Sequence, residues 1–91
     1  MEKAYNQIKE LKLIHSSTSL RTLILNDNSI CDFDGRTFEN LEYLNIDKNC
    51  ITKISNIYRL SNLKSLFLRN QKNGDMFVIK YIIIMKCDIY N

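Results

Sequence analysis

The chain has 91 residues, a formal net charge of +3, 45% hydrophobic residues and 25% charged residues. A chain of this length forms one domain at most and buries only roughly 60–65% of the surface that its unfolded form exposes, so modest stability is expected. The composition excludes wholesale disorder, and the small net charge with dispersed lysines and arginines indicates no nucleic-acid-binding surface.

Residues 1–19 are predicted to form an N-terminal edge strand and cap. The opening segment MEKAYNQIKE alternates acidic and basic residues without an apolar core, so neither a signal peptide nor a membrane span is expected there. Ile8, Leu11 and Leu13 supply apolar side chains for one strand, but the polar segment HSSTS that follows is too short to complete a repeat. His15 lies in this polar segment, where we expect it to face solvent.

One pattern recurs three times in the middle of the chain, over residues 20–72. It reads Leu-x-x-Leu-x-Leu-x-x-Asn-x-Ile, is complete twice and truncated once, and starts at Leu20, Leu41 and Leu63. Agreement of three registers at the same offsets is a strong signal of self-similarity. One copy cannot bury its apolar stripe alone, so the copies are predicted to stack into a short parallel sheet backed by irregular helical turns.

Each copy predicts a short strand, a turn and an irregular return. Leu44 and Ile46 are two positions apart, so their side chains share the buried face of a strand. Asn28 and Asn49 follow where the chain must leave the strand, and their amides can bond backbone groups that the turn leaves unpaired. After Asn49, apolar residues fall at every third position as far as Leu63, which favours a 3₁₀-like return over a long α-helix.

These copies resemble the repeats of the leucine-rich repeat family over roughly residues 8–72. The spacing is similar to the 22-residue class found in the leucine-rich regulatory subunit of protein phosphatase 1, the spliceosomal A-prime protein and an axonemal dynein light chain. The resemblance implies an α/β solenoid whose concave side is a parallel sheet of about three to four strands. The first copy is one residue short near DFDGRTF, where Gly35 is expected in a looser turn.

The tail, residues 73–91, is predicted to form a C-terminal cap. In the third copy Gln71 replaces the asparagine, so the solenoid is expected to stop there, and its exposed core edge then needs an apolar cover. The tail weakly resembles the family's cap motif at Phe77, Tyr81 and Ile82, and both helix and strand remain open for its conformation. A membrane anchor and a truncated or misjoined terminus are the alternatives, although an apolar stretch of about ten residues is half of what spans a bilayer.

Residues typical of catalysis or metal binding are sparse. Cys31, Cys50 and Cys87 are irregularly spaced, without a Cys-x-x-Cys pair, so free thiols in a reducing compartment are expected in place of zinc ligands or disulfides. Two glycines do not provide a glycine-rich phosphate loop. The aspartates of NDNSICDFD lack the glycine and distal glutamate of an EF-hand calcium loop, so a solvated turn is expected. We therefore predict no catalytic residues, no metal and no cofactor.

The candidate binding site is the face of the sheet that the leucines do not use. Stacking the copies aligns three outward rows, which are Thr22, Tyr43 and Ser65, then Ile24, Asn45 and Phe67, then Asn26, Asp47 and Arg69. We predict partner binding by Ile24, Tyr43, Asn45, Asp47, Phe67 and Arg69. Aromatic and aliphatic groups bordered by polar ones are the composition of a binding hot spot. The alternative is that these side chains only pack on one another across the strands.

The sequence as a whole predicts one domain, residues 1–91, that acts as an adaptor or regulatory subunit. The expected partner is a protein, with no direct nucleic-acid binding and no membrane contact. A monomer in the cytoplasm is expected, with the nucleus or the axoneme as alternatives. The competing hypothesis is a structural fragment of a longer leucine-rich repeat protein that has no binding role of its own.

Overall fold

In a computed structural model of the chain, the residues described are 19–73 and 87–90. Within them, the strands are β1 (Thr22–Ile24), β2 (Asp32–Asp34), β3 (Tyr43–Asn45), β4 (Lys53–Ser55), β5 (Ser65–Phe67) and β6 (Asp88–Tyr90). A 3₁₀ helix spans Ile57–Arg59. The expected N-terminal strand and the cap positions Phe77, Tyr81 and Ile82 lie outside the described residues.

Four of these strands form one parallel sheet in the order β1, β3, β5 and β6. The apolar centres of the strands are in register, with Leu23 opposite Leu44, Leu44 opposite Leu66, and Leu66 opposite Ile89. Each strand therefore comes from a separate turn of the chain, as a solenoid requires. The predicted leucine-rich repeat architecture, a short parallel sheet of three to four strands, is confirmed.

A second, two-stranded sheet lies on the other side of the repeats. β2 pairs with β4 in parallel, and their central residues, Phe33 and Ile54, are both buried. The sequence had indicated only an irregular return for these segments. Because stacked copies bring equivalent extended segments side by side, their backbone N–H and C=O groups can pair with each other, as buried groups must.

Gly35 follows β2 and lies in a turn, as expected, in which the N–H of Thr37 donates to the carbonyl oxygen of Asp34 at 3.0 Å. Gly35 is buried, and its N–H donates to the carbonyl oxygen of Ser55 at 2.8 Å. A Cβ atom at this position would overlap the backbone carbonyl oxygen of Asn56. Gly35 is therefore required for the close approach of two neighbouring repeats.

The two sheets enclose a single hydrophobic core. Phe33 and Phe38 come from the first repeat and are fully buried, with ring centroids 6.4 Å apart. The remaining core is aliphatic and consists of Leu23, Leu25, Ile30, Leu41, Leu44, Ile46, Ile51, Ile54, Leu60, Leu63, Leu66 and Leu68. These are the positions that the repeated pattern predicted, apart from the two phenylalanines of the irregular first return.

Asn49 is fully buried at the turn after β3, as predicted from its position in the repeat. Its side-chain oxygen accepts from the backbone N–H of Ile30 at 3.0 Å. Its amide nitrogen lies 3.0 Å from the carbonyl oxygens of Leu25, Ile46 and Asp47. The side chain thus joins the turn of its own repeat to that of the preceding one.

The other two turns use the same chemistry. Asn28 is buried, and its amide donates to the carbonyl oxygen of Leu25 at 2.9 Å. Gln71 accepts from the N–H of Ile51 at 2.9 Å and donates to the carbonyl oxygen of Ile46 at 2.9 Å. Gln71 therefore takes the asparagine's role in the third repeat, and the expectation that the solenoid stops there is corrected by β6, which adds a fourth strand.

Candidate functional site

The outward face of the four-stranded sheet carries the predicted rows. Thr22, Tyr43 and Ser65 are register partners, as are Ile24, Asn45 and Phe67. Strand β6 extends both rows, because Asp88 lies opposite Ser65 and Tyr90 lies opposite Phe67. The face is therefore one strand wider than the sequence indicated.

An aromatic patch, defined here as Tyr43, Phe67 and Tyr90, crosses three neighbouring strands of this face. The Tyr43 and Phe67 ring centroids are 5.1 Å apart. The Phe67 and Tyr90 rings are stacked, with centroids 4.4 Å apart and an interplanar angle of 12°. Tyr90 is 42% exposed, whereas Tyr43 and Phe67 are half-buried. The three rings form one continuous apolar surface on this face.

Arg69 and Asp47 border the aromatic patch. Asp47 is buried, and its carboxylate accepts from the backbone N–H, Nε and Nη2 of Arg69, at 2.6, 3.1 and 2.9 Å respectively. The guanidinium carbon of Arg69 lies 5.0 Å from the ring centroid of Phe67, within the range of a cation–π contact. Hydrogen bonding to Asp47 raises the pKa of Arg69 above its ordinary value. Asp47 thus holds the cation of Arg69 against the aromatic patch.

The other two predicted site residues occupy different places on the face. Asn45 is half-buried, and its side-chain oxygen accepts from the backbone N–H of Asp47 at 3.0 Å, which shapes the end of β3. Ile24 is half-buried on β1, opposite Asn45. The structure therefore groups Tyr43, Phe67 and Arg69 closely, with Asp47 and Asn45 supporting them from the end of β3.

Tyr90 is the site residue that the sequence reasoning missed. Its signal was the segment DIY, in which Ile89 follows Leu66 by 23 residues and repeats the alternation of the earlier strands. The apolar run of three isoleucines at positions 82–84 favoured the cap interpretation. The segment is too short to be assigned as a strand without its neighbour β5, because three residues carry little periodicity of their own.

A row of alternating charges lies before the strands. Glu42 pairs with Arg21 and with Lys64, each at 3.5 Å, and both basic side chains are largely exposed. Exposed pairs of this kind contribute at most about 1 kcal/mol each, so the row adds little to stability.

The second sheet carries a separate polar cluster. Asp34 accepts from the Nη2 group of Arg36 at 2.9 Å and from the side-chain amide of Asn56 at 3.0 Å. Hydrogen bonds from Arg36 hold the pKa of Asp34 well below its usual range. This carboxylate therefore stays ionised at neutral pH, and its hydrogen bonds link the turns of two neighbouring repeats.

Groups suited to catalysis or metal binding are not assembled in the described part of the chain. Within residues 19–73 and 87–90 no cluster of three or more His, Cys, Asp or Glu side chains could hold a metal ion. Cys31, Cys50 and Cys87 are free thiols, and burial raises the pKa of the Cys87 thiol. The same residues contain no helix long and apolar enough to cross a bilayer. His15 lies outside the described residues.

A family model described as leucine rich repeat matches residues 18–72, which is more than half of the chain. The chain belongs to the leucine-rich repeat family. Searches of curated proteins and of solved structures return no match. Leucine-rich repeat domains are generally protein-interaction modules and are typically not enzymes.

Proposed function

We propose that this leucine-rich repeat protein binds a partner protein on the outward face of its four-stranded sheet, at the aromatic patch. The observation that carries the proposal is the continuous contact of three rings supplied by three neighbouring strands. Aromatic residues and arginines are enriched among the residues that contribute most of the binding energy at protein interfaces. Here the three rings are bordered by Arg69, which is fixed by its pairing with Asp47. Strand pairing fixes the backbone under each ring, so little order is lost on binding.

The contacts among the rings define how a partner would engage them. Because Tyr43 and Phe67 already touch, as do Phe67 and Tyr90, no partner side chain inserts between them. A partner instead lies across the outer surface of the patch, where Tyr90 is the most exposed ring. Cross-strand packing and partner binding are thus compatible uses of the same rings.

The repeat spacing supports the finer assignment within the family. The strand centres of the three matched repeats are 21 and 22 residues apart, which supports the 22-residue class and its similarity to regulatory subunits and adaptors. We also propose a single domain over residues 1–91 that is monomeric, and a cytoplasmic location, which the free cysteines favour because they suit a reducing compartment. The nucleus and the axoneme are the alternative locations, and the alternative role is that of a fragment without a partner.

The test is affinity capture from a native extract with the double variant Tyr43→Ala and Phe67→Ala. We expect the variant to keep the circular dichroism of the parent, to lose about 1–3 kcal/mol of stability from the two ring contacts that Phe67 makes, and to lose the partner. Each removed aromatic should weaken binding by about 2 kcal/mol or more if it lies at the centre of the interface.

The matched control is Tyr58→Ala. Tyr58 is 70% exposed on the 3₁₀ helix that follows β4, on the second sheet's side of the core. This control should retain the partner. Capture of the same proteins by the parent and the folded double variant would remove the aromatic patch as the binding site and leave the fragment hypothesis standing.

A further inference from the structure

Strand β6 carries an acidic and an aromatic side chain on the outward face of the sheet. Asp88 and Tyr90 are two positions apart, so their side chains lie on the same face, about 6.6 Å apart along the strand. Both are exposed. Phe67 covers one side of the Tyr90 ring, and β6 is the last strand of the described sheet, so the exposed side of the ring faces away from β5. We call Asp88 and Tyr90 the edge pair.

The carboxylate of Asp88 differs from the other acidic groups of the described residues, because it lacks a basic partner. Ion pairs hold most of these acids, namely Asp27, Asp34, Glu39, Glu42 and Asp47. Asp32 lies opposite the basic Lys53 on the neighbouring strand. Asp88 makes no ion pair with any described residue and lies opposite the neutral Ser65.

Lys64, which precedes β5, does not neutralise this carboxylate. The backbone oxygen of Lys64 accepts from the N–H of Asp88 at 3.0 Å, but its ammonium pairs with Glu42 at 3.5 Å. Burial and the nearby charge of Asp88 together raise the pKa of the Cys87 thiol, as an unpaired carboxylate would. The edge pair therefore presents a negative charge beside an exposed aromatic ring.

The same sheet shows which cation suits a carboxylate and a ring together. Nη2 of Arg69 lies 2.9 Å from Oδ2 of Asp47, while its guanidinium carbon lies 5.0 Å from the ring centroid of Phe67. A planar guanidinium can stack on a ring while the N–H groups in its plane donate to a carboxylate. The ammonium of lysine is a strongly hydrated point charge without such a plane. The edge pair offers the same two groups, and no described cation lies between them.

We propose, building on the function proposed above, that the edge pair is the subsite for an arginine side chain of the partner protein. The guanidinium lies on the exposed side of the Tyr90 ring and donates to the carboxylate of Asp88. One side chain meets both groups, so the subsite sets no condition on the backbone conformation of the partner. The aromatic patch supplies the apolar contact, and Asp88 selects the charge.

The first experiment titrates the full chain with N-acetyl-arginine amide and follows nuclear magnetic resonance shifts. Saturable, millimolar binding should move the Tyr90 ring and Asp88 backbone signals, and added salt should weaken it. N-acetyl-citrulline amide, which has nearly the same shape without the charge, should bind about tenfold more weakly or worse, and N-acetyl-lysine amide should lie between the two. Tyr58 is an internal reference: it is also exposed, but Arg36 interacts with it electrostatically, so its ring signals should not move.

Protein variants test the two groups separately. Asp88→Asn should weaken the arginine probe about tenfold and remove its advantage over the citrulline probe, and Tyr90→Leu, which keeps an apolar side chain, should also weaken it. Asp32→Asn is the matched control, because Asp32 is an exposed acid on the second sheet, and it should leave the binding unchanged. The signals of the remaining residues report whether each variant is folded.

Two results would overturn the subsite directly. Equal binding of the arginine and citrulline probes would show that the charge of Asp88 is not read. Shifts at Asp32 as large as those at Asp88 would show that the probe collects at any exposed acid.

Affinity capture separates this inference from the proposed function. Asp88→Asn should recover less of the partner, and free arginine amide should compete with the partner where citrulline amide does not. If capture is lost with Tyr43→Ala and Phe67→Ala but is indifferent to Asp88→Asn, the arginine subsite is wrong and the proposed function stands. If capture is indifferent to all three substitutions, both fail.

Discussion

Single side-chain amides complete the hydrogen bonding of the turns. The amide nitrogen of Asn49 has two hydrogens and three carbonyl oxygens at 3.0 Å, so at least one hydrogen is shared between two acceptors. The residue before it, Lys48, has a φ of 54°, and Asp27 and Asn70 adopt the same left-handed conformation at the equivalent positions, with φ of 59° and 56°. The left-handed residue turns the chain away from the strand direction. The side-chain amide of the next residue, Asn28, Asn49 or Gln71, then donates to backbone carbonyl groups of the turn.

Replacing Asn49 with alanine should show how much its hydrogen bonds contribute to the free energy of unfolding. The variant Asn49→Ala leaves the buried N–H of Ile30 without its acceptor. The carbonyl oxygens of Leu25, Ile46 and Asp47 each lose one donor but keep another, from Asn28, Gln71 and the Asp27 N–H respectively. One unsatisfied buried group costs about 1–3 kcal/mol, so a loss of about this size in the free energy of unfolding is expected. Urea denaturation of the variant and the parent measures it.

Asn62→Ala is the matched control, because Asn62 is exposed and its amide reaches only the side chain of Asn40. Its effect should stay within about 0.5 kcal/mol, as for most surface changes. Equal midpoints for Asn49→Ala and the parent would contradict the repeat register.

Gly35→Ala should also destabilise the protein, for a steric reason. The added methyl group meets the backbone carbonyl of Asn56, which cannot rotate away as a side chain would. Overpacking of this kind costs about 1–3 kcal/mol. Thermal unfolding should show a lower midpoint for Gly35→Ala than for Ser61→Ala, a change at an exposed position. A midpoint at or above that of the parent would show that the contact between the two repeats is not tight.

Strands of three residues are stable here only because each one has neighbours. β5 lies between β3 and β6, and its own edge toward β6 is completed by the Leu68 N–H, which donates to the Tyr90 carbonyl oxygen at 2.7 Å. The Asp88 N–H donates in turn to the carbonyl oxygen of Lys64 at 3.0 Å. β6 also packs Ile89 against the core. The last strand therefore protects both the polar edge and the apolar edge of the third repeat.

Deleting residues 87–91 should expose the edge of β5 and promote self-association. Unpaired backbone groups beside an apolar core edge are a template for pairing with another chain. Light scattering and size-exclusion chromatography should detect oligomers or aggregates of the shortened protein. Tyr90→Ala, which keeps the backbone of β6, should remain at the parent's size. A shortened chain that stays the same size and folded would mean that β6 does not protect the repeats.

Across the whole molecule, the sequence predicted those features that repeat in register. Leu23, Leu44 and Leu66 defined the main sheet correctly, because identical offsets in stacked copies produce paired strands. β2, β4 and β6 were missed, since three extended residues have no periodicity of their own and become strands only when a neighbouring copy pairs with them. The expectation that the solenoid stops at Gln71 was wrong because the longer side chain of Gln71 still reaches the backbone groups that an asparagine amide would bind.

The candidate site was likewise predicted only where its residues repeat in register. Alternation along β3 and β5 placed Tyr43 and Phe67 on the outward face, and register placed them on neighbouring strands. The burial of Asp47 and its three hydrogen bonds with Arg69 depend on side-chain conformations that the spacing does not specify. The position of a residue in a short strand therefore predicts the face of the sheet on which its side chain lies. The exposed fraction of that side chain depends on the neighbouring side chains.

The last prediction concerns how stability is distributed along the solenoid. Leu44 lies on β3, with Leu23 and Leu66 on either side, whereas Leu23 has Leu44 as its register partner in the described sheet. Removing a buried leucine side chain costs about 2–5 kcal/mol, and a chain of this size has roughly 5–14 kcal/mol in total. Because repeat stability depends on nearest-neighbour interfaces, Leu44→Ala weakens two interfaces of the described sheet and Leu23→Ala weakens one of them. If the described sheet accounts for the stability, urea denaturation should show the larger loss, and a single transition at lower urea, for Leu44→Ala. Equal losses for the two variants, both of which remove a side chain of the same size from a fully buried site, would show that Leu23 has a second neighbour, as the predicted N-terminal strand would supply, or that the repeats behave as one undivided core.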